Sequence, residues 1–201
     1  MSGPPLAERA ESLGVELGPV EAGRLERFEG MLAGRAARAG MISRADVSRL
    51  RERHILDCLR AAAVVAGAED AYDLGSGAGL PGIVVAIAVP RLRVGLVESR
   101  RTRAAFLETV VRDLPVENAA AVHRRVEDLS EPVDLCFARA FAPLPRAWDA
   151  AQRLLRPGGR LAYFAGRELD RASLPVGAVI VPPPAESVLA SAGVLVIMTR
   201  Q

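Results

Sequence analysis

The feature that most constrains this chain is the run Asp73-Leu74-Gly75-Ser76-Gly77-Ala78-Gly79-Leu80-Pro81-Gly82, which follows an apolar segment at 70–74 and opens a helical one at 81–89. Its glycines let the backbone turn sharply and approach a ligand closely, while the helix start behind them presents unpaired N–H groups. A strand, a glycine loop and a helix make half of a βαβ unit, and the rest of the chain continues that alternation. Apolar runs at 93–98, 119–123, 133–139 and 160–165 read as strands of a parallel sheet. Helical spacing at 100–113 and 143–156 lies between them. Val176–Val181 and Gly193–Thr199 are placed to pair as a terminal hairpin, with Pro182–Pro184 barred from the middle of a sheet. The expected class is α/β: a Rossmann-like, seven-stranded, mostly parallel sheet with helices on both faces.

Two amphipathic helices are expected ahead of the sheet, from Pro19 to about Ala39 and from Ser43, a suitable N-cap, to about Val65, separated at Gly40 and closed at Gly67. Residues 1–66 thus read as a helical extension packing on an α/β domain at 67–201. Gly166–Pro175 is long enough only for a short crossover. Met1–Gly14 has no apolar h-region, and no apolar run approaches the roughly 18 residues that span a bilayer. A cytoplasmic protein without membrane association is expected, and a monomer.

All 26 basic residues are arginine. The absence of lysine excludes a Schiff-base enzyme, a pyridoxal phosphate linkage and a P-loop lysine. With 35 alanines, it reads as the coding bias of a G+C-rich genome. A net charge of +2 is too mild to argue nucleic-acid binding by itself. Cys58 and Cys136 are too few and too far apart for a disulfide framework or a zinc site, so buried thiols and no metal are expected.

Gly77-x-Gly79-x-x-Gly82 also satisfies the dinucleotide fingerprint, but there the first glycine directly follows the strand so that pyrophosphate sits on the helix N-terminus. Here Asp73-Leu74-Gly75-Ser76 intervenes, and Asp73 would set a carboxylate beside that pyrophosphate. An acidic residue suits instead the ammonium and sulfonium of S-adenosylmethionine. Glu98, ending the second strand, can accept from ribose hydroxyls, and Glu127-Asp128 adds an acidic loop on the same carboxyl edge of the sheet.

The same run resembles the signature of the RsmG (GidB) family, bacterial methyltransferases of a guanine N7 in 16S ribosomal RNA. Further elements are similar in order: Arg53-His54-Ile55-Leu56-Asp57-Cys58-Leu59, Leu96-Val97-Glu98-Ser99 with Arg103 and Phe106-Leu107, Arg125-Val126-Glu127, Ala138-Arg139-Ala140-Phe141-Ala142-Pro143-Leu144, and Leu155-Arg-Pro-Gly-Gly159. Together they cover about residues 40–165. The resemblance implies a class I methyltransferase fold, S-adenosyl-L-methionine as cofactor, and 16S rRNA or the small ribosomal subunit as partner. It implies cofactor contacts at Gly75, Leu80, Val126, Glu127 and Arg139, with Val126 and Glu127 at the adenine. The physical reading adds Asp73, Gly77 and Glu98.

His54 and Asp57 share a helix face and, with Arg139, are candidates for positioning substrate; the plain alternative is a packing histidine bonded to Asp57. Arg100, Arg101 and Arg103, and Arg49, Arg51 and Arg53, could meet RNA phosphates or simply face solvent. Phe141 and Trp148 are expected in the core. Thr102 and Ala165-Gly166 stand where the family usually has lysine and lysine-glycine, departures on the substrate side. Two other readings stay open: a small-metabolite methyltransferase of this type, and a non-catalytic binding module with a vestigial cofactor pocket.

Overall fold

The structure, a computed structural model, describes residues 4–165, 169, 171, 174–185, 188–189 and 192–201. A seven-stranded sheet in the order β3-β2-β1-β4-β5-β7-β6 forms its centre. The strands are β1 (Asp70–Leu74), β2 (Arg93–Val97), β3 (Ala119–Val122), β4 (Val133–Arg139), β5 (Leu155–Phe164), β6 (Val179–Val181) and β7 (Leu195–Thr199). The first five run parallel. β7 lies antiparallel between β5 and β6, so the terminal hairpin forms and also extends the sheet. The strand order reverses between β1 and β4, and in open α/β sheets ligands bind beyond the carboxyl ends at that switch point.

The helices are α1 (Leu6–Glu11), α2 (Pro19–Met31), α3 (Asp57–Leu59), α4 (Gly82–Ala88), α5 (Arg101–Asp113) and α6 (Leu144–Leu154). Alternate side chains of β4 point to opposite faces. Leu135 and Phe137 join Leu25 and Phe28 of α2, Ile83 of α4 and Leu107 and Val110 of α5 in one apolar cluster. Cys136 and Ala138 join Ala147, Ala151 and Leu154 of α6 in the other. Both cysteines are fully buried thiols, as expected of residues serving as small hydrophobes.

Three local differences from the sequence reading have physical causes. The short α1 is additional, anchored by buried Leu6 and Ala10. The expected helix from Ser43 begins as read, with Ser43 Oγ accepting from Ala45 N at 3.3 Å. It then proceeds in pieces: a 3-10 turn (Arg44–Arg49), a π turn (Arg51–Leu56), α3 and a second 3-10 turn (Arg60–Val64). Every residue from His54 to Ala61 is buried there. A regular amphipathic helix buries one stripe; changing pitch brings this whole run inward, and π turns often occur at functional sites.

The third difference is at β5, which starts at Leu155 rather than 160, so that α6 stops at Leu154 rather than 156. Leu155 is already extended and pairs with Val133, after which the register against β4 shifts. Gly158, at φ +78°, sits in that irregularity. Its N–H donates to the Arg200 carbonyl and Arg200 N–H donates to that of Gly159. The Pro-Gly-Gly expected to lead into the strand at 160 is thus a bulge inside it.

Candidate active site

The glycine loop leaves β1 at the switch point. Gly75, Gly77 and Gly79 have φ of +68°, +56° and +89°, the left-handed region that suits glycine. Gly75 is also needed for space, because a Cβ there would lie 2.7 Å from Phe141 Cδ2. Asp73 is 1% exposed; its Oδ2 accepts from Gly82 N–H at 3.0 Å, and its Oδ1 has no partner among the described residues. Burial pushes its carboxyl up to about 6. Glu98 closes the loop from β2: Oε2 accepts from Gly77 N–H at 3.1 Å and Oε1 from Arg100 N–H at 2.8 Å.

Two cavities open over the loop and share Gly75, Arg103 and Ala140. The first, about 290 Å³, is lined by Glu98, Arg100, Arg124, Val126, Glu127 and Phe141. The second, about 370 Å³, is lined by Ile42, His54, Gly77, Ala78, Leu80 and Arg139. A larger cavity of about 530 Å³ lies at the opposite end of the strands, around Asp70, Arg93 and Arg156, away from the loop.

A polar cluster backs the second cavity. Arg139 Nη2 donates to the Arg53 carbonyl at 3.1 Å and to His54 Nδ1 at 2.8 Å, and its Nε is 3.8 Å from Asp57 Oδ2. Arg60 donates to Asp57 Oδ1 at 2.9 Å and to the Gly193 carbonyl at 2.7 Å. An arginine can only donate, so His54 Nδ1 accepts and the ring proton sits on Nε2. That Nε2 is buried without a partner among the described residues. Burial first, and then Arg139, drive the His54 imidazole down to about 4, so it is neutral at physiological pH. Ala140, at φ +53°, is a non-glycine residue in the left-handed region at the end of β4. The turn it makes lets Arg139 reach residues 53–57 while Phe141 lies over Gly75, the kind of held backbone strain found at functional sites.

Of the residues singled out in the sequence, Gly75, Gly77, Leu80, Glu98, Val126, Glu127, Arg139 and His54 all line one cavity or both. Asp73 and Asp57 line neither: Asp73 holds the Gly82 amide behind the loop, and Asp57 reaches the cavity through Arg139. Phe141 packs half-buried against the α6 cluster and is also a wall of the first cavity. Trp148 packs half-buried against the α6 cluster. Thr102 is exposed and Ala165 buried; Gly166 lies outside the described residues. Sequence reasoning passed over Arg60, whose only signal is its position three residues after Asp57, and Ala140, whose left-handed backbone nothing in an alanine announces.

The sheet order, the glycine loop and the cavities at the switch point define a protein of the class I methyltransferase fold. A Thermotoga maritima SAM-dependent O-methyltransferase shares it at a TM-score of 0.56 and 21% identity, covering 77% of this chain and 69% of that one. Methanocaldococcus jannaschii Trm5 in complex with adenosine gives 0.52 and 13%, over 72% and 47% of the two chains. Within that class the particular family is defined by sequence: residues 21–172 match the family model GidB, rRNA small subunit methyltransferase G. The chain belongs to that family. Proteins called Ribosomal RNA small subunit methyltransferase G are similar: from Acidothermus cellulolyticus (43% identical over 63% of this chain), Acidiphilium cryptum (43% over 73%) and Mycolicibacterium gilvum (36% over 81%). The matched stretches span 57%, 69% and 71% of those relatives' own lengths.

Proposed function

We propose that this chain is an S-adenosylmethionine-dependent methyltransferase acting on N7 of a guanine in 16S rRNA of the small ribosomal subunit. The observation that carries the reading is the pair of cavities joined at Gly75 and Ala140, one lined by Glu98, Val126 and Glu127 and the other backed by a neutral histidine and a held arginine.

The residues fit the cofactor. A Cβ at Gly75 would close the passage against Phe141. Glu98 has spare lone pairs for ribose hydroxyls, since a carboxylate offers about four acceptor sites and two are taken. Val126 and Glu127 would border the adenine. Gly77 and Leu80 would flank the amino-acid tail, and Asp73 keeps the loop in shape from behind. When bound, S-adenosylmethionine supplies an electrophilic methyl group on a sulfonium.

Guanine N7 carries an in-plane lone pair in the neutral base, so no proton is removed before attack and no general base is required. The chain's part is placement and a suitable electrostatic setting. His54 stays uncharged and adds no repulsion to a cationic cofactor or to the charge that develops on the base. Asp57, braced by Arg60, holds Arg139, and Arg139 fixes the His54 tautomer.

The test is incorporation of labelled methyl from S-adenosylmethionine into small subunits lacking the modification. The reading predicts N7-methylguanosine in 16S rRNA; label moving only to small molecules of a lysate would replace it with the metabolite alternative. Absence of any S-adenosylhomocysteine binding would replace it with the non-catalytic one.

A further inference from the structure

Two arginines line the cavity beside Gly77, and they differ in what they already hold. Arg139 is committed to His54, the Arg53 carbonyl and Asp57. Arg103, in the first turn of α5, lies on the wall common to both cavities and donates no hydrogen bond among the described residues. Its Nη1 is 3.8 Å from where a Cβ on Gly77 would stand. Its one ion pair among the described residues is long, 3.9 Å to Glu98 Oε2, and its side chain is 33% exposed. Both Glu98 oxygens already accept backbone N–H groups. Glu98 therefore orients the guanidinium by charge and leaves its five donors without a hydrogen bond among the described residues.

We infer that Arg103 binds the carboxylate of the cofactor's amino-acid tail; this rests on the cofactor reading above. A nucleoside placed against Glu98, Val126 and Glu127 must send its tail past Gly75 toward Gly77, Ala78 and Leu80. The wall it passes carries Arg103. A tail carboxylate displaced from water needs donors in return, and an arginine fork matches a carboxylate through two parallel hydrogen bonds. Asp73 and Glu98 are acidic and cannot serve. Arg100, Arg124 and Arg125 are exposed and line only the nucleoside cavity.

The experiment measures binding, without turnover, of S-adenosylmethionine and of its decarboxylated analogue, which keeps the ammonium and sulfonium. Arg103→Ala weakens S-adenosylmethionine by about 10- to 100-fold, the range of a charge-assisted hydrogen bond, and the analogue by less than about three-fold. Arg103→Lys falls between, keeping the charge and losing the fork. Unliganded melting temperatures of the variants match the parent. Equal weakening of both ligands overturns the inference, as does unchanged S-adenosylmethionine binding with weakened binding of small subunits, which would assign Arg103 to an RNA phosphate. Failure of the parent protein to bind either ligand overturns the cofactor reading itself.

Discussion

Replacing Gly75 with alanine perturbs the site at the point where both cavities meet. Two costs can be worked out. The backbone at φ +68° charges an L-residue about 1–2 kcal/mol. The added Cβ, 2.7 Å from Phe141 Cδ2 where about 3.5–4.0 Å is normal, drives the half-buried ring back by about 1 Å. A chain of this length loses about 2–4 °C of melting temperature per kcal/mol, so the backbone cost alone lowers the melting temperature of Gly75→Ala by about 2–8 °C, and the ring displacement adds to it. Gly67 provides the control: its φ is +79° but nothing lies within 4 Å of a Cβ, and it precedes β1, at the far end from the loop. Gly67→Ala bears only the backbone cost. The ligand response separates the two. S-adenosylhomocysteine at 100 times its dissociation constant stabilises by about 2.7 kcal/mol, or about 5–11 °C here. The parent and Gly67→Ala show that rise in differential scanning fluorimetry; Gly75→Ala loses most of it. A full ligand-induced rise in Gly75→Ala would refute the placement of the cofactor over Gly75.

Other outcomes follow from the same geometry. His54 is held down at about 4 against an ordinary 6.5, so the unfolded chain takes up a proton that the fold refuses, and stability falls as pH drops across that window. Asp73, raised from 3.8 to about 6, acts in the opposite sense and adds stability as pH falls through 6. His54→Asn removes the first contribution alone, so its stability at pH 4 relative to pH 7 exceeds the parent's by about 3 kcal/mol in urea titrations; an unchanged difference would contradict the neutral buried imidazole. Arg156 bonds Asp70 at 2.7 Å and Asp134 at 2.6 Å and holds the Asp70 carboxyl below its usual range. Arg156→Ala therefore lowers the melting temperature at neutral pH, and the deficit closes as pH falls through the carboxylate range; a deficit that persists in acid would mean the loss is packing.

Much of this fold is legible because burial leaves a period in the sequence. The alternation of Leu135 and Phe137 with Cys136 and Ala138, and the glycine run after Asp73, place the sheet, the loop and its neighbours. Where backbone geometry departs from the regular elements, the composition misleads. Leu155-Arg-Pro-Gly-Gly159 has the residues of a turn and forms a bulged strand, because its partners Val133 and Arg200 come from distant parts of the chain. The helix from Ser43 changes pitch and buries every residue from His54 to Ala61, and a single helical stripe does not describe that run. In the site, the cavity-lining glycines and acids follow from the loop motif and the family resemblance. Phe141 does not, because its position depends on the left-handed Ala140, and the free donors of Arg103 depend on Glu98 being engaged elsewhere.

The proposed reaction is the transfer of a methyl group to guanine N7 of small-subunit RNA. Its most direct test incubates the protein with labelled S-adenosylmethionine and small ribosomal subunits from a strain lacking the modification, then maps the RNA by mass. One new N7-methylguanosine is expected in 16S rRNA, lost in Gly75→Ala. Unmodified 16S rRNA, from a protein shown in the same preparation to bind S-adenosylhomocysteine, would contradict it.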